Sequence, residues 1–203
     1  MAVGIALADK MRGRDTVTAC FFGDGAVAEG EFHESMNLAS LWHLPVLFCC
    51  ENNLYAMGTA IERALVNVDL VGKSSIYRMP GALVDGMDVL AVQQAAIDGT
   101  RIVREGGGPM FLELQTYRFR AHSMYDPERY RSKEEVERWR QRDPLVLYPT
   151  QLREQGLLED EAMAAMEAEV AAEIDAAIAA AEAAAFEPVE ELTRFVYSER
   201  TRP

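Results

Sequence analysis

Two stretches, TVTACFFGDG at residues 16–25 and PVLFCCENN at residues 45–53, determine the fold that the sequence predicts. Each is a run of β-branched, aromatic and other apolar residues that ends in Gly, Asp or Asn, as a buried strand does where it meets a loop. The segment between them, residues 29–44, carries apolar residues at helical spacing. A strand, a helix and a strand form the βαβ unit of a parallel sheet, so both polar ends are expected at one edge of that sheet.

The same alternation continues along the chain. The further expected elements are a helix at 2–10, a short strand at 82–84, a helix at 88–104 and a strand at 110–116. Residues 52–58 and 73–81 are expected to be loops, because the first follows a strand end and the second is polar and contains Pro80-Gly81. This alternation predicts an α/β fold with a doubly wound, mostly parallel sheet.

Beyond residue 117 the pattern is helical. Ser132 and Glu135 form the S-x-x-E pattern of a helix capping box, and Asp143-Pro144 is typical of the start of a helix. Residues 159–185 are almost all Ala, Glu and Met, which are strong helix formers, and carry an apolar stripe for packing on a neighbour. We therefore interpret residues 1–130 as the α/β core. Residues 131–203 are interpreted as a helical C-terminal extension of the same domain, with an irregular or strand-like finish from residue 186.

Composition excludes two classes of function. The chain has 203 residues, of which 49% are apolar, a formal charge of −13 and a pI near 4.7. Nucleic acid and anionic membrane surfaces both require a basic protein surface, so neither is an expected partner. No apolar run approaches the roughly 18 residues that can span a bilayer. Cys20, Cys49 and Cys50 lie in apolar strands and are expected to be reduced, which points to the cytoplasm.

The polar ends of the first two strands carry the ligands that a magnesium-bound diphosphate requires. Mg²⁺ takes hard oxygen ligands, and Asp24 offers a carboxylate, Asn53 an amide oxygen and Tyr55 a backbone carbonyl. Gly25 leaves room for a phosphate to approach the backbone. Alone, each half is also a common turn or loop sequence. The glycine patterns of the Rossmann and Walker A motifs are both absent.

Further segments around these two halves narrow the interpretation. They are GEFHE (30–34), NLASLW (37–42), ENNLYAMGT (51–59), VDGMD (84–88) and ELQTYR (113–118). Together with the two halves, they resemble the thiamine diphosphate-dependent 2-oxoacid dehydrogenase family, and within it the alpha subunit of the decarboxylating component of pyruvate dehydrogenase. The resemblance covers nearly the whole chain, and it implies that an N-terminal segment of the family is missing before residue 1.

The resemblance implies a site for thiamine diphosphate and Mg²⁺. The residues that it assigns to cofactor binding are Asp24, Gly25, Ala26, Asn53, Tyr55 and His122. Of these, Asp24, Asn53 and the carbonyl of Tyr55 would hold Mg²⁺. The diphosphate would lie against Gly25 and Ala26.

His122 would be the catalytic residue of this chain, because it falls where the family has an active-site histidine on a mobile loop. The alternative is a surface loop histidine, but the neighbouring Arg118 and Arg120 suit a phosphorylated cofactor. Ser123 stands where regulated family members carry a phosphorylated serine. The sequence Arg-Ala-His at 120–122 replaces their His-Gly-His, which argues against phosphoregulation. Structural or interfacial roles are expected for the other histidines, His33 and His43.

The activity implied by the resemblance is oxidative decarboxylation of pyruvate with transfer of the acetyl group to a lipoyl carrier. The implied partners are a beta subunit in an α2β2 heterotetramer, which holds the aminopyrimidine end of the cofactor, and the lipoyl acyltransferase of the complex. Without the beta subunit and the missing segment, the chain is expected to be inactive. Alternatives are the alpha subunit of a branched-chain 2-oxoacid or acetoin dehydrogenase, and a non-catalytic assembly fragment.

Overall fold

A computed structural model of the chain describes residues 1–196. The chain separates into two compact units, Met1–Gln151 and a second that starts at Leu152. The division at residue 130 that the sequence suggests stays a prediction. Over the described residues, no helix combines the length and the apolar character needed to cross a membrane.

Four parallel strands form the sheet of the first unit. The strands in chain order are β1 (Thr18–Gly23), β2 (Val46–Asn52), β3 (Tyr55–Ala56), β4 (Thr59–Ala60), β5 (Gly81–Asp85) and β6 (Met110–Gln115). β3 and β4 pair as a short antiparallel hairpin, and the other four strands pair in the order β1-β2-β6-β5. All three pairings in this sheet are parallel, as the sequence predicts.

Helices connect these strands and continue after the last one. They are α1 (Ala2–Met11), α2 (Gly30–Leu41), α3 (Ile61–Ala64), α4 (Leu70–Ile76), α5 (Val89–Ile102), α6 (Lys133–Arg140), α7 (Pro144–Glu154) and α8 (Asp160–Ala183). A 3-10 helix, Asp24–Ala28, joins β1 to α2, and a π-helical turn, Val103–Gly107, extends α5. The strands and helices that the sequence predicts at 2–10, 16–22, 29–44, 45–50, 82–84, 88–104 and 110–116 are therefore present, with ends that differ by a few residues.

The sheet buries both of its faces, which confirms the doubly wound α/β fold. Alternate residues of a strand point to opposite sides. On one side Phe48 and Phe111 pack in a cluster with residues of α1, α2 and α4. On the other side Leu47 and Leu112 pack with residues of α5. Because β2 is covered on both faces, its sequence is a continuous apolar run rather than an alternating one.

The loop expected at 73–81 is wrong in its first part, because α4 continues to Ile76. Asp69 caps this helix and its carboxylate accepts a hydrogen bond from the Gly72 amide at 2.7 Å. Ser74 is buried against the sheet side of the helix and donates to the Val71 carbonyl. Glycine and serine are weak helix formers, so local propensity conceals a helix that tertiary burial stabilises.

The loop expected at 52–58 is also shorter than the sequence suggests. Asn52 is the last residue of β2 and pairs in register with Gln115 of β6. Tyr55 and Ala56 then form the first strand of the hairpin. The connection between the two strands is therefore only two residues long, and it contains Asn53.

The helices after β6 agree with the sequence, with one exception at the capping box. The Ser132 hydroxyl accepts a hydrogen bond from the Glu135 amide at 3.1 Å, and the Asp143 carboxylate accepts one from the Leu145 amide at 2.9 Å. The Glu135 carboxylate binds tyrosine hydroxyls instead of closing the box.

The C-terminal finish is irregular as far as the structure describes it. Up to residue 196 it contains a 3-10 turn at Val189–Glu191 and no strand. The rest of the expected irregular or strand-like segment, 197–203, lies outside the described residues.

The three cysteines are free, as the sequence predicts. Cys49 and Cys50 are buried, whereas Cys20 is partly exposed on the edge strand β1. Burial raises the pKa of the Cys49 thiol to about 11 and raises that of Cys50 as well. These thiols are therefore protonated and unreactive at neutral pH.

Candidate functional site

The two predicted halves of the site meet at the carboxyl edge of the sheet. β1 and β2 are adjacent and parallel, and Gly23 is in register with Glu51. Asp24 follows β1 directly and Asn53 follows β2 directly. The amide of Asn53 donates a hydrogen bond to Oδ1 of Asp24 at 3.4 Å. The structure thus brings together two residues that lie 29 positions apart in the sequence.

Asp24 is a buried carboxylate directly after the end of β1. Asp24 is only 3% exposed, and its carboxylate forms no ion pair within the described part of the chain. Burial raises its pKa, an effect that the hydrogen bond from Asn53 and the positive charge of Arg118 partly oppose. A buried charge requires compensation. A divalent cation bound at Asp24 would provide it, so this residue fits the implied Mg²⁺.

The segment 52–55 is shaped by two consecutive side-chain hydrogen bonds to the backbone. Oδ1 of Asn52 accepts from the Leu54 amide at 3.1 Å, and Oδ1 of Asn53 accepts from the Tyr55 amide at 3.2 Å. Leu54 has a φ of 72°, in the left-handed region that a leucine rarely adopts. An amide oxygen has two lone pairs, so Asn53 keeps one for a metal ion. These two bonds hold residues 52–55 in a turn, and the Asn53 amide of this turn donates to Asp24.

Gly25 lies directly beneath the hairpin that follows Asn53. A Cβ atom placed on Gly25 would stand 2.6 Å from the Cβ of Ala56, so only glycine fits here. Ala26, the next residue, lines an apolar cavity of about 280 Å³ together with Phe22 and Phe32. Gly25 is therefore packed tightly against the hairpin, whereas Ala26 borders the cavity.

His122 is exposed and lies in the segment after β6. Its Nδ1 is 3.5 Å from Nη1 of Arg118, and its amide donates to Oδ2 of Asp126 at 3.0 Å. Arg118 in turn donates from Nη2 to the Met57 carbonyl at 2.7 Å. No hydrogen bond joins His122 to the predicted metal ligands within the described residues. Its catalytic role stays a prediction.

Glu135 is a contributor to this region that the sequence does not reveal. Its carboxylate accepts hydrogen bonds from the hydroxyls of Tyr55 and Tyr117, each at 2.9 Å. Burial and this carboxylate raise the pKa of Tyr117 to about 12 and raise that of Tyr55 too. Tyr117 also stacks on Trp139 with 5.1 Å between ring centroids. The hydrogen bond from Tyr55 to Glu135 attaches helix α6 to Tyr55, whose backbone carbonyl is a predicted metal ligand.

Glu113 is a second residue that the sequence does not single out. It lies in the middle of β6, is only 6% exposed, and accepts a hydrogen bond from Nδ2 of Asn52 at 2.8 Å. The signal that could have found it is a carboxylate inside the otherwise apolar run Met110–Leu114.

His33 and His43 both have hydrogen-bond partners away from this edge, and the structural or interfacial roles expected for them stay predictions. Nδ1 of His33 is 2.7 Å from the Tyr77 hydroxyl, and Nε2 of His43 is 2.8 Å from the Gly106 carbonyl. No three His, Cys, Asp or Glu side chains among residues 1–196 gather as a metal cluster. The candidate site differs from such clusters because it consists of one carboxylate, one amide and one carbonyl.

Comparison with known proteins gives one family for nearly the whole chain. The family model described as the dehydrogenase E1 component matches residues 1–190. A pyruvate dehydrogenase E1 component subunit alpha from Rhizobium meliloti (strain 1021) is 43% identical over 171 residues, which are 84% of this chain and 49% of the relative. The mitochondrial form from Sminthopsis macroura is 42% identical over 200 residues, 98% of this chain and 54% of the relative.

The chain spans about half the length of the curated relatives it matches. Among solved structures, a provisionally assigned thiamin diphosphate-dependent enzyme from Mycobacterium smegmatis superimposes with a TM-score of 0.44 and 25% identity. That match covers 58% of this chain and 21% of the other.

Proposed function

We propose that this chain, which belongs to the dehydrogenase E1 component family, is part of a pyruvate dehydrogenase E1 alpha subunit. In this proposal the chain holds the diphosphate of thiamine diphosphate through Mg²⁺. The observation that carries this proposal is the buried Asp24 carboxylate, which has no ion pair in the described chain and lies against Asn53. The relatives named above support pyruvate over branched-chain 2-oxoacids or acetoin as the substrate.

Each residue of the edge has a defined part in this proposal. Asp24, Asn53 and the Tyr55 carbonyl would supply oxygen ligands to Mg²⁺, which usually takes only a few of its ligands from protein. Gly25 keeps the hairpin close to Asp24 because a larger residue would displace Ala56. When bound, thiamine diphosphate supplies the nucleophilic carbon for the decarboxylation.

The loop after β6 supplies positive charge and the candidate catalytic histidine. Arg118 is tied to the hairpin through its hydrogen bond to the Met57 carbonyl. His122 is 3.5 Å from the Arg118 guanidinium, so the same arginine links the histidine to the backbone after the metal ligands.

The proposed assembly is an α2β2 heterotetramer with a beta subunit, which works with a lipoyl acyltransferase that accepts the acetyl group. The name of the relatives, E1 component subunit alpha, supports this because it implies further subunits. We propose the cytoplasm as its location, since the three free thiols suit a reducing compartment. The isolated chain is expected to bind cofactor but not to turn over pyruvate.

Thermal unfolding with and without thiamine diphosphate and Mg²⁺ tests the proposal. A ligand at 100 times its Kd stabilises a protein by about 2.7 kcal/mol. For a chain of this size that corresponds to a rise in Tm of roughly 5 to 10 °C. The rise should occur in the wild type and disappear in Asp24→Ala and Asp24→Asn.

Asp98→Ala is the matched control, because it removes a carboxylate whose side chain is 45% exposed on helix α5. Its Tm should rise with cofactor as the wild type does. An equal rise in the Asp24 variants would place the cofactor elsewhere. A wild type that does not respond would favour the non-catalytic assembly fragment.

A further inference from the structure

A buried pair, Asn52 and Glu113, lies directly behind the proposed metal ligands. Asn52 is 3% exposed and Glu113 is 6% exposed. Nδ2 of Asn52 donates to Oε1 of Glu113 at 2.8 Å, across the β2–β6 pairing. Both residues are almost fully buried, so this contact lies in the interior of the protein.

The same asparagine controls the backbone of the metal-binding turn. Its other side-chain atom, Oδ1, accepts from the Leu54 amide at 3.1 Å. Leu54 has a φ of 72°, and a non-glycine residue in that region costs about 1–3 kcal/mol unless its surroundings hold it there. The hydrogen bond from Leu54 is one such restraint, and the bond from the Ile61 amide to the Leu54 carbonyl at 3.0 Å is another.

The orientation of the Asn52 side chain depends on Glu113. An amide can rotate by 180° and exchange its oxygen for its nitrogen, which would point a donor at the Leu54 amide. A carboxylate accepts hydrogen bonds only, so Glu113 fixes the nitrogen of Asn52 on its own side and the oxygen toward Leu54. Glu113 therefore determines which end of Asn52 faces the turn.

We propose that Glu113 is a positioning residue for the cofactor site: it orients Asn52, which holds Leu54 in its left-handed conformation and so places Asn53 and the Tyr55 carbonyl beside Asp24. This inference rests on the proposed function and adds to it the residues that shape the metal-binding turn. Partners that orient metal ligands typically contribute about 10- to 100-fold to metal affinity.

A swap of the two polar groups tests the proposal. Asn52→Asp alone sets two buried carboxylates against each other and should weaken the apparent Mg²⁺ affinity, measured by thermal shift with saturating thiamine diphosphate, by about 10-fold or more. Asn52→Asp with Glu113→Gln restores one donor and one acceptor in the reverse direction. One oxygen of the introduced aspartate then accepts from the introduced glutamine, and the other still accepts from the Leu54 amide. The double variant should therefore recover to within about 3-fold of the wild type, a difference below about 1 kcal/mol.

A second readout needs no ligand. Hydrogen exchange of the Leu54 amide in the free chain should accelerate in Asn52→Asp and slow again in the double variant, because that amide is the one that Asn52 protects. Val103→Ala is the control for general loss of stability, since Val103 is buried on the opposite face of the sheet, in the cluster with Leu47 and Leu112. It should lower the Tm of the free chain and leave the Mg²⁺ affinity unchanged.

The outcomes separate the two proposals. A wild type without a cofactor-dependent shift overturns the proposed function and this inference with it. A wild type that responds, with an Asn52→Asp variant of unchanged affinity or a double variant no better than the single one, overturns the inference alone. Recovery of both Mg²⁺ affinity and Leu54 protection in the double variant supports it.

Discussion

Replacing Gly25 with alanine is expected to push the β3–β4 hairpin away from Asp24. The added Cβ would stand 2.6 Å from the Cβ of Ala56, which is fixed to the backbone and cannot rotate away. Carbon atoms prefer to lie about 3.5–4.0 Å apart, so the hairpin must move by about 1 Å. Tyr55 is the first residue of this hairpin and Asn53 lies just before it, so both residues are displaced with it.

The size of the effect follows from two opposing contributions. Forcing one extra methyl group into a packed contact costs about 1–3 kcal/mol. A change from glycine to alanine also stabilises the protein by about 0.4–1 kcal/mol, because alanine restricts the conformations of the unfolded chain. The expected net loss is about 1–2 kcal/mol, or roughly 2 to 8 °C in Tm for a chain of this size. The stabilisation by thiamine diphosphate and Mg²⁺ should fall as well.

Urea denaturation followed by circular dichroism measures this loss, with two matched variants. Gly23→Ala is the control, since a Cβ at Gly23 meets nothing within 4 Å and its φ of −82° suits alanine. Ala56→Gly removes the atom that Gly25→Ala would strike, so Gly25→Ala should cost clearly less in that background. Equal stability of Gly25→Ala and Gly23→Ala, or an equal cost in both backgrounds, would refute the contact between the two halves of the site.

Two further variants test the charges around the site. Burial raises the pKa of Asp24 above its ordinary 3.8. The folded chain therefore binds the proton of this carboxyl group more tightly than the unfolded chain does. The free energy of unfolding without ligand falls as the pH rises from about 3.8 to the raised pKa of the folded chain. Asp24→Asn should therefore unfold at a higher urea concentration than the wild type at pH 7 and lose that advantage near pH 4; an advantage independent of pH would contradict the assignment. Glu135→Ala leaves the hydroxyls of Tyr55 and Tyr117 without their acceptor and should cost about 1–3 kcal/mol in urea denaturation. The neighbouring Glu134→Ala, an exposed position, should stay within about 0.5 kcal/mol of the wild type, and a similar loss in both would count against the role of Glu135.

The fold could be predicted because its buried strands have a simple pattern. β2 is covered on both faces, so Val46 to Cys50 are all apolar and stand out from their surroundings. The sequence does not predict helix α4, because its serines and glycine are poor helix formers. Burial of Leu70 and Ser74 stabilises this helix instead. That burial depends on the sheet and cannot be deduced from the seven residues alone.

Only the residues of the candidate site that directly follow neighbouring strands could be predicted from the sequence. Asp24 and Asn53 follow adjacent parallel strands, so their proximity is a consequence of the βαβ unit. Glu113 and Glu135 act through partners that lie 61 and 80 positions away in the sequence. Glu135 also matched a capping box, and this local interpretation concealed its contact with Tyr55.

The two polar strand ends are expected to form one cation site for a diphosphate. Mn²⁺ in place of Mg²⁺ tests it directly, because this paramagnetic ion broadens the amide NMR signals of nearby residues in a labelled chain with thiamine diphosphate. We expect the broadening to centre on residues 24–26 and 53–55, and to vanish there in Asp24→Asn. Broadening centred on the acidic helix α8, with the signals of Asp24 and Asn53 unchanged, would contradict the account.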